Sequence, residues 1–240
     1  MDPSLYEISA DVQDDHWWFA ARRRILDTLL SGLGDRRRVL EVGCGTGANA
    51  PILGRYQELL GLDMDQGALR HAKNRYHHVV QADALSMPLS DGCCDLVVAL
   101  DLLEHLDDDE IGARELYRVL EADGSALVFV PAFAMLWGVQ DDLSHHRRRY
   151  RRSQLVALLR GAGFRVKRTG YFNFWLFLPI LLVRSLWRLG RPSLPSENLW
   201  TPGWVNRPLE ALMGSEAWLL RHMDLPVGVS LYAIAEKAAD

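Results

Sequence analysis

Cysteine is scarce in this chain: Cys44, Cys93 and Cys94 are the three among 240 residues, and two of them are adjacent. That excludes a disulfide framework, and the spacing fits no zinc pattern. No metal centre is expected, and the cysteine usage reads as a reducing cytosol. Long apolar runs are missing too, since no stretch reaches the roughly 18–20 residues that span a bilayer. Residues 1–21 are acidic and aromatic, without the basic-then-apolar pattern of a signal peptide. No internal repeat or low-complexity tract occurs. Acidic residues are absent from Leu143 to Ser196, where 12 basic residues stand. Residues 1–142 carry 12 basic and 25 acidic side chains, and the remainder 3 and 6, so the net charge of −4 hides a strong asymmetry. Such a basic segment either faces an anionic partner (phosphate, nucleic acid, a membrane surface) or covers the acidic half of its own fold. The sequence leaves both open.

What is present is an α/β alternation. A hydrophobic content of 49% and a charged content of 24% are ordinary for a soluble globular protein, and the length suits one large domain with an insertion. Apolar runs predict strands at 38–42, 58–62, 78–82, 94–100, 124–131, 164–171 and 228–236. Helices are predicted from about 47, from 66, over 110–121 and over 153–162. This order makes a mostly parallel sheet with helices on both faces. Residues 172–226 break the alternation and read as a helical insertion between the sixth and seventh strands. The expected organisation is an N-terminal helical cover (1–37), a core (38–171), the insertion (172–226), and a last strand with the C-terminus (227–240).

The most informative stretch is 39–47, Val-Leu-Glu-Val-Gly-Cys-Gly-Thr-Gly. A strand carrying one acid breaks into alternate glycines, which lets the backbone turn sharply and pass close to a ligand. The helix that follows offers unpaired N–H groups to an anionic group. The glycines alone also satisfy a dinucleotide fingerprint, with Ala48 in its last position and Asp63 at the ribose-binding distance. Three acids at strand ends point instead to S-adenosylmethionine (SAM). Glu41, inside the first strand, needs a cationic or hydrogen-bonding partner to offset its burial, and the ammonium of SAM would provide one. Asp63 can accept from both ribose hydroxyls beside an apolar Met64. Asp83 can accept from the adenine amino group.

These residues, with LGLDMD at 60–65, QADALSMPLSDGCCDLVVALDLLEHL at 81–106 and the strand from Gly124 to Pro131, resemble the class I SAM-dependent methyltransferases. The similarity is greatest to the ubiquinone/menaquinone-biosynthesis type. The resemblance implies a Rossmann-like seven-stranded sheet, an α/β/α sandwich whose last strand lies antiparallel beside the fifth. It implies SAM as cofactor and S-adenosylhomocysteine as product. Carried over, Glu41, Gly43, Cys44 and Gly45 would meet the methionine part, Asp63 and Met64 the adenosine, and Asp83 and Ala84 the adenine. Leu100 and Asp101 would close beneath the amino-acid end. A leading helix would cover the cofactor, with Trp18 and Arg22 four apart on one face.

Methyl transfer from a sulfonium needs alignment, exclusion of water and, for a hydroxyl nucleophile, a base. His105, just past the fourth strand, is one candidate. His146 is the other, in a His-x-Arg-Arg-Tyr pattern (His146, Arg148, Arg149, Tyr150) that the resembled subgroup carries; His145 is its neighbour. The arginines and Tyr150 suit an anionic acceptor.

The insertion opens with an apolar run, 174–183, flanked by Trp175 and Trp187, with Arg184, Arg188 and Arg191 at helical spacing. That pattern fits a helix lying in a membrane interface, and equally packing against the fold or a second subunit in a homodimer. Pro179 would kink it. The expected activity is a C- or O-methyltransferase for a hydrophobic, anionic or lipid-linked small molecule, in the cytoplasm or peripheral at the inner membrane face. A nicotinamide-dependent oxidoreductase and a non-catalytic protein that kept the fold are the alternatives. Nucleic acid is not expected as a partner, because no Asn-Pro-Pro-Tyr-like tetrapeptide follows the fourth strand to receive a flipped base.

Overall fold

The computed structural model describes residues 13–14, 16–187 and 203–238. Arg188, Arg191 and most of the proline- and glycine-rich middle of the expected insertion lie outside the described residues. Seven strands form one sheet: β1 (Arg38–Val42), β2 (Glu58–Asp63), β3 (His78–Gln81), β4 (Cys94–Leu100), β5 (Leu120–Pro131), β6 (Arg165–Phe172) and β7 (Ser230–Glu236). Their order is β3-β2-β1-β4-β5-β7-β6. β1 to β5 are parallel, and β7 slots antiparallel between β5 and β6. This is the sheet expected from the sequence, including the placement of the last strand.

β4 is buried at every residue, as a central parallel strand covered on both faces must be. The strand order reverses between β1 and β4, which opens a crevice at their C-terminal ends, where sheets of this kind bind ligands.

Helices cover the two faces. One layer contains α4 (Asp109–Val119) and α6 (Arg152–Gly161), with Leu116, Val119, Leu155 and Leu159 on Val97, Val128 and Val130. The other contains α1 (Trp17–Leu30), α2 (Ala50–Leu53), α3 (Gln66–Ala72) and α8 (Gly203–His222). There Ile25, Leu26 and Leu29 pack with Leu96, Val98, Phe129 and Leu220. α1 and α8 lie against each other. So α8, predicted as insertion, completes a sheet-covering layer, and α1 is as much a core helix as a cover.

Two local expectations are corrected. The helix expected from about 47 begins only at Ala50 and lasts one turn. Glycines at positive φ hold the backbone out of the right-handed region through Gly47, and Gly54 caps the turn. Pro179 does not kink α7 (Phe177–Trp187). It occupies the first turn, where an amide N–H has no partner within the helix to lose.

Candidate functional site

The glycine turn after β1 is strapped to the end of β2: Gly43 N and Cys44 N both donate to Leu62 O, at 2.7 and 3.0 Å. Asp63, nearly buried, accepts from Gly45 N and Asp65 N, each at 2.9 Å. Burial raises its carboxyl pKa, and those two N–H groups oppose the shift. Each oxygen has one donor, so one further lone pair on each can meet a ligand hydroxyl. Gly45, at φ +51°, has no atom within 4 Å of where a Cβ would stand. Its open backbone face fits a closely approaching cofactor. Met64 beside it is 70% exposed. Across the crevice Asp83 is exposed, its Oδ1 held by Leu85 N at 2.9 Å, while Ala84 and Leu100 are buried. Cys44 packs its thiol into the core, where burial raises the thiol pKa, so it offers the crevice only its backbone.

Glu41 behaves differently from the expectation. It is fully buried, and its carboxylate accepts from Asn49 Nδ2 at 2.7 Å and from the Tyr76 hydroxyl. The protein itself supplies the partners for which a cofactor ammonium was invoked. Burial still pushes the carboxyl up to about 7, with the Tyr76 and Asn49 bonds pulling the other way. Glu41 therefore ties β1 to the start of α2 and to Tyr76 behind the glycine turn. Sequence reasoning missed both partners, because Tyr76 is 35 residues away with no motif to mark it.

At the end of β4 the backbone of Asp101 adopts a left-handed φ of 53°, and its carboxylate pairs with Arg22 of α1. The Arg22 guanidinium also stands over the Phe129 ring, 5.6 Å from its centroid. Trp18, one turn earlier, is half-buried and meets Trp17 edge-on. Just before α1, Gln13 Oε1 accepts from the Thr46 hydroxyl at 2.7 Å and Asp14 pairs with Arg75, so the leading segment is fastened over the glycine turn.

His105 and His146, 41 positions apart, come together with their rings edge to face, centroids 4.6 Å apart. Burial, with His146 alongside, drives the His105 imidazole down to about 4. His146 Nδ1 lies 2.8 Å from Asp141 Oδ1. Asp141, on the short helix α5 (Val139–Leu143), is a hub: Arg149 Nε donates to the same oxygen at 2.7 Å, and Arg184 Nη1 of α7 lies 3.6 Å from the other. Burial raises its carboxyl pKa, yet the His146 and Arg149 bonds outweigh this and hold it down at about 2. His145 turns outward at φ 54° and is exposed, so geometry separates the two adjacent histidines. Asp141 was not singled out in the sequence. Glu104, quoted only as a neighbour, is fully buried between the crevice and this hub, and burial raises its carboxyl pKa well above the usual range.

The rest of the His-x-Arg-Arg-Tyr pattern splits. Arg149 is buried on Asp141 and Ala132 O. Arg148 pairs with Asp109 at 2.5 Å, and the Tyr150 hydroxyl donates to the same carboxylate at 2.7 Å. Arg148, Arg149 and Tyr150 line a cavity of about 480 Å³ between α4 and α6, with Arg114 and Gln154. Other residues of the basic segment lean on acids of their own fold: Arg147 on Asp107, Lys167 on Glu236, Arg168 on Asp224. Arg184 is buried against Asp141 and Leu136 O rather than standing on a solvent-facing arginine stripe. The exposed stripe of α7 is Leu178, Leu182 and Leu186. Among the described residues no helix is long and apolar enough to cross a membrane.

A family model described as "Methyltransferase domain" matches residues 40–128, from β1 into β5. The chain is 31% identical over 159 residues to a Mycobacterium tuberculosis protein named "Probable S-adenosylmethionine-dependent methyltransferase", covering 64% of this chain and 58% of that one. It is 31% identical over 156 residues to a malonyl-[acyl-carrier protein] O-methyltransferase of Enterobacter lignolyticus, covering 58% and 60%. It therefore spans about three fifths of the length of these curated relatives. A SAM-dependent methyltransferase structure from Archaeoglobus fulgidus superposes with a TM-score of 0.56 at 20% identity, covering 90% of this chain and 94% of that one. Of the cofactors the glycine turn could serve, SAM is the one named for the Mycobacterium tuberculosis relative, which favours it over a nicotinamide cofactor. Residues 40–128 match the methyltransferase-domain family, and the chain is similar to SAM-dependent methyltransferases over about three fifths of their length.

Proposed function

We propose that this protein transfers a methyl group from SAM to an oxygen or carbon of a hydrophobic, lipid-linked small molecule bearing an anionic group. When bound, SAM supplies an electrophilic methyl on a sulfonium. The chain's own residues align, enclose and deprotonate. Asp63 takes the ribose hydroxyls, Met64 and Ala84 line the adenine, and Asp83 accepts from its amino group. Gly43, Cys44 and Gly45 offer backbone to the methionine part, with Glu41 bracing that turn. Leu100 and Asp101 close the floor, and Arg22 with Trp18 covers the acceptor end and keeps water out. His146, oriented by Asp141 in the manner of an acid–histidine pair, is the base for an acceptor hydroxyl, with His105 beside it. Arg148, Arg149 and Tyr150 give the acceptor side its positive character.

One observation carries the lipid-linked part. Arg184 joins α7, whose exposed face is Leu178, Leu182 and Leu186, to Asp141, the acid that holds His146. An apolar surface helix is thereby fixed to the acceptor end of the crevice, where a greasy tail would lie while its head group reacts. The acceptor named for one relative, malonyl-[acyl-carrier protein], is likewise an anionic group held on a carrier. The setting that follows is the cytoplasmic face of a membrane, held peripherally.

Incubation with methyl-tritiated SAM and separate lipid and soluble extracts of the source organism tests this. Label entering the lipid fraction is expected, and lost with His146→Ala. Label confined to the soluble fraction would overturn the lipid-linked acceptor while leaving methyl transfer intact.

A further inference from the structure

We propose that Glu104, His105 and His146 bind a divalent transition-metal cation of the zinc type at the C-terminal end of β4. The cysteine count gave no reason to expect a metal, but it says nothing about imidazole and carboxylate donors. One ligand atom from each of the three residues lies within 4.8 Å of the other two. His146 Nε2 stands 4.0 Å from Glu104 Oε1. Bonds of about 2.0–2.2 Å to Zn²⁺ set neighbouring ligand atoms roughly 3.3–3.5 Å apart, so small side-chain rotations close the set.

Two features distinguish this cluster from a chance gathering. Glu104 is 0% exposed, and neither of its oxygens accepts a hydrogen bond from the described residues. The arginines around it are directed elsewhere: Arg22 to Asp101, Arg149 to Asp141 and Ala132 O, Arg184 to Leu136 O and Asp141. A buried carboxylate in that position calls for a cation or a proton. Next, Asp141 holds His146 by Nδ1 at 2.8 Å. An ionised carboxylate there assigns the proton to Nδ1 and leaves the Nε2 lone pair facing Glu104, the carboxylate–histidine–metal arrangement of protein metal sites.

Two imidazoles and one carboxylate leave a fourth position, as in catalytic zinc sites. A cation there would draw an acceptor hydroxyl or carboxylate oxygen and lower its proton affinity; with the ion bound His146 is a ligand, and with the position empty it is the base of the reading above. The inference concerns the acceptor end of the site proposed above, but it rests on the donor set alone and is read without turnover.

The test is titration of the chelator-treated full chain with Zn²⁺, and with Co²⁺ followed by its visible d–d absorption. One ion per chain is expected. Glu104→Gln and His105→Gln should each weaken it at least ~100-fold, as removal of a direct ligand does, and Asp141→Asn by about 10–100-fold, as for an outer-shell partner. His78→Ala, on an exposed residue of β3, should leave stoichiometry and affinity unchanged. S-adenosylhomocysteine binding by each variant shows that it is folded and stands apart from the metal readout. If Glu104→Gln does not fold, His105→Gln carries the comparison. No stoichiometric binding of either ion, or equal binding by wild type and both ligand variants, would overturn the site.

Discussion

The two halves of the crevice are built on opposite principles. On the cofactor side, between β1, β2 and β3, the polar groups are paired within the motif that carries them. Asp63 is bonded to Gly45 and Asp65, and Asp83 to Leu85. On the acceptor side, beyond β4, charge is met by charge, and one buried carboxylate is shared among several side chains. Arg22 meets Asp101, and Asp141 serves His146, Arg149 and Arg184 at once. The first arrangement makes recognition local and leaves stability to the core. The second makes the site itself a structural joint, so its chemistry and its folding cannot be altered independently.

The sharpest way to break that contrast is to remove the hub. Asp141→Ala leaves Arg149 and Arg184, with side chains 5% and 8% exposed, without their carboxylate. Stranding buried charges costs about 3–5 kcal/mol, to be read from urea unfolding at neutral pH. A loss under ~1 kcal/mol would mean that the arginines find other partners and the joint is not structural.

Glu41 comes next, because it is the one cofactor-side acid that shares the buried character of the other half. Its folded pKa, about 7, lies above the ordinary value of 4.5. A group raised in this way stabilises the fold below pH 4.5, and that contribution is lost as pH rises through 7. Between pH 5 and 8 the unfolding free energy of the cofactor-free protein should fall, by up to about 3 kcal/mol for this single group. Glu41→Gln should flatten the profile. An equal slope in the variant would assign the pH dependence to another group.

Asp63 should separate recognition from stability. Asp63→Ala removes the acceptor of two N–H groups in a partly open turn, worth about 1–3 kcal/mol. It should weaken S-adenosylhomocysteine by roughly 100-fold or more, as loss of two hydroxyl bonds to a charged acceptor implies. Calorimetric titration beside unfolding measures both. Weak destabilisation with unchanged affinity would remove Asp63 from the ribose.

What could be read from the chain follows the same division. The succession of strands and the glycine turn were legible because alternation and motif spacing are local signals. The antiparallel last strand came from resemblance, not periodicity. His105 and His146 were both singled out as candidates, yet their meeting was not foreseen, since nothing in the chain says that positions 105 and 146 share a wall. Asp141 was invisible: it reads as one acid in a loop, and only three partners arriving from 146, 149 and 184 give it meaning. Arg184 was misread for a related reason. Helical spacing with Arg188 and Arg191 suggests a solvent-facing stripe, whereas the pull of Asp141 turns Arg184 inward. The even-handed reading of the basic segment resolves towards compensation, because its arginines find acids in the first half of the chain and near its end.

The smallest stability effect belongs to the surface that joins the two halves to their surroundings. Leu182 is 64% exposed at the centre of the α7 stripe. Exposed substitutions away from special contacts change stability by about 0.5 kcal/mol or less, so Leu182→Glu should unfold with wild type. Its effect should appear in liposome flotation with anionic vesicles, where a carboxylate in the middle of the buried face opposes insertion and repels the surface. Recovery with the vesicles is expected to fall several-fold. Flotation that does not change would detach α7 from the membrane and leave Leu178, Leu182 and Leu186 as a contact for a second copy of the chain. Sedimentation of wild type against Leu182→Glu would then reveal that contact as a lost dimer.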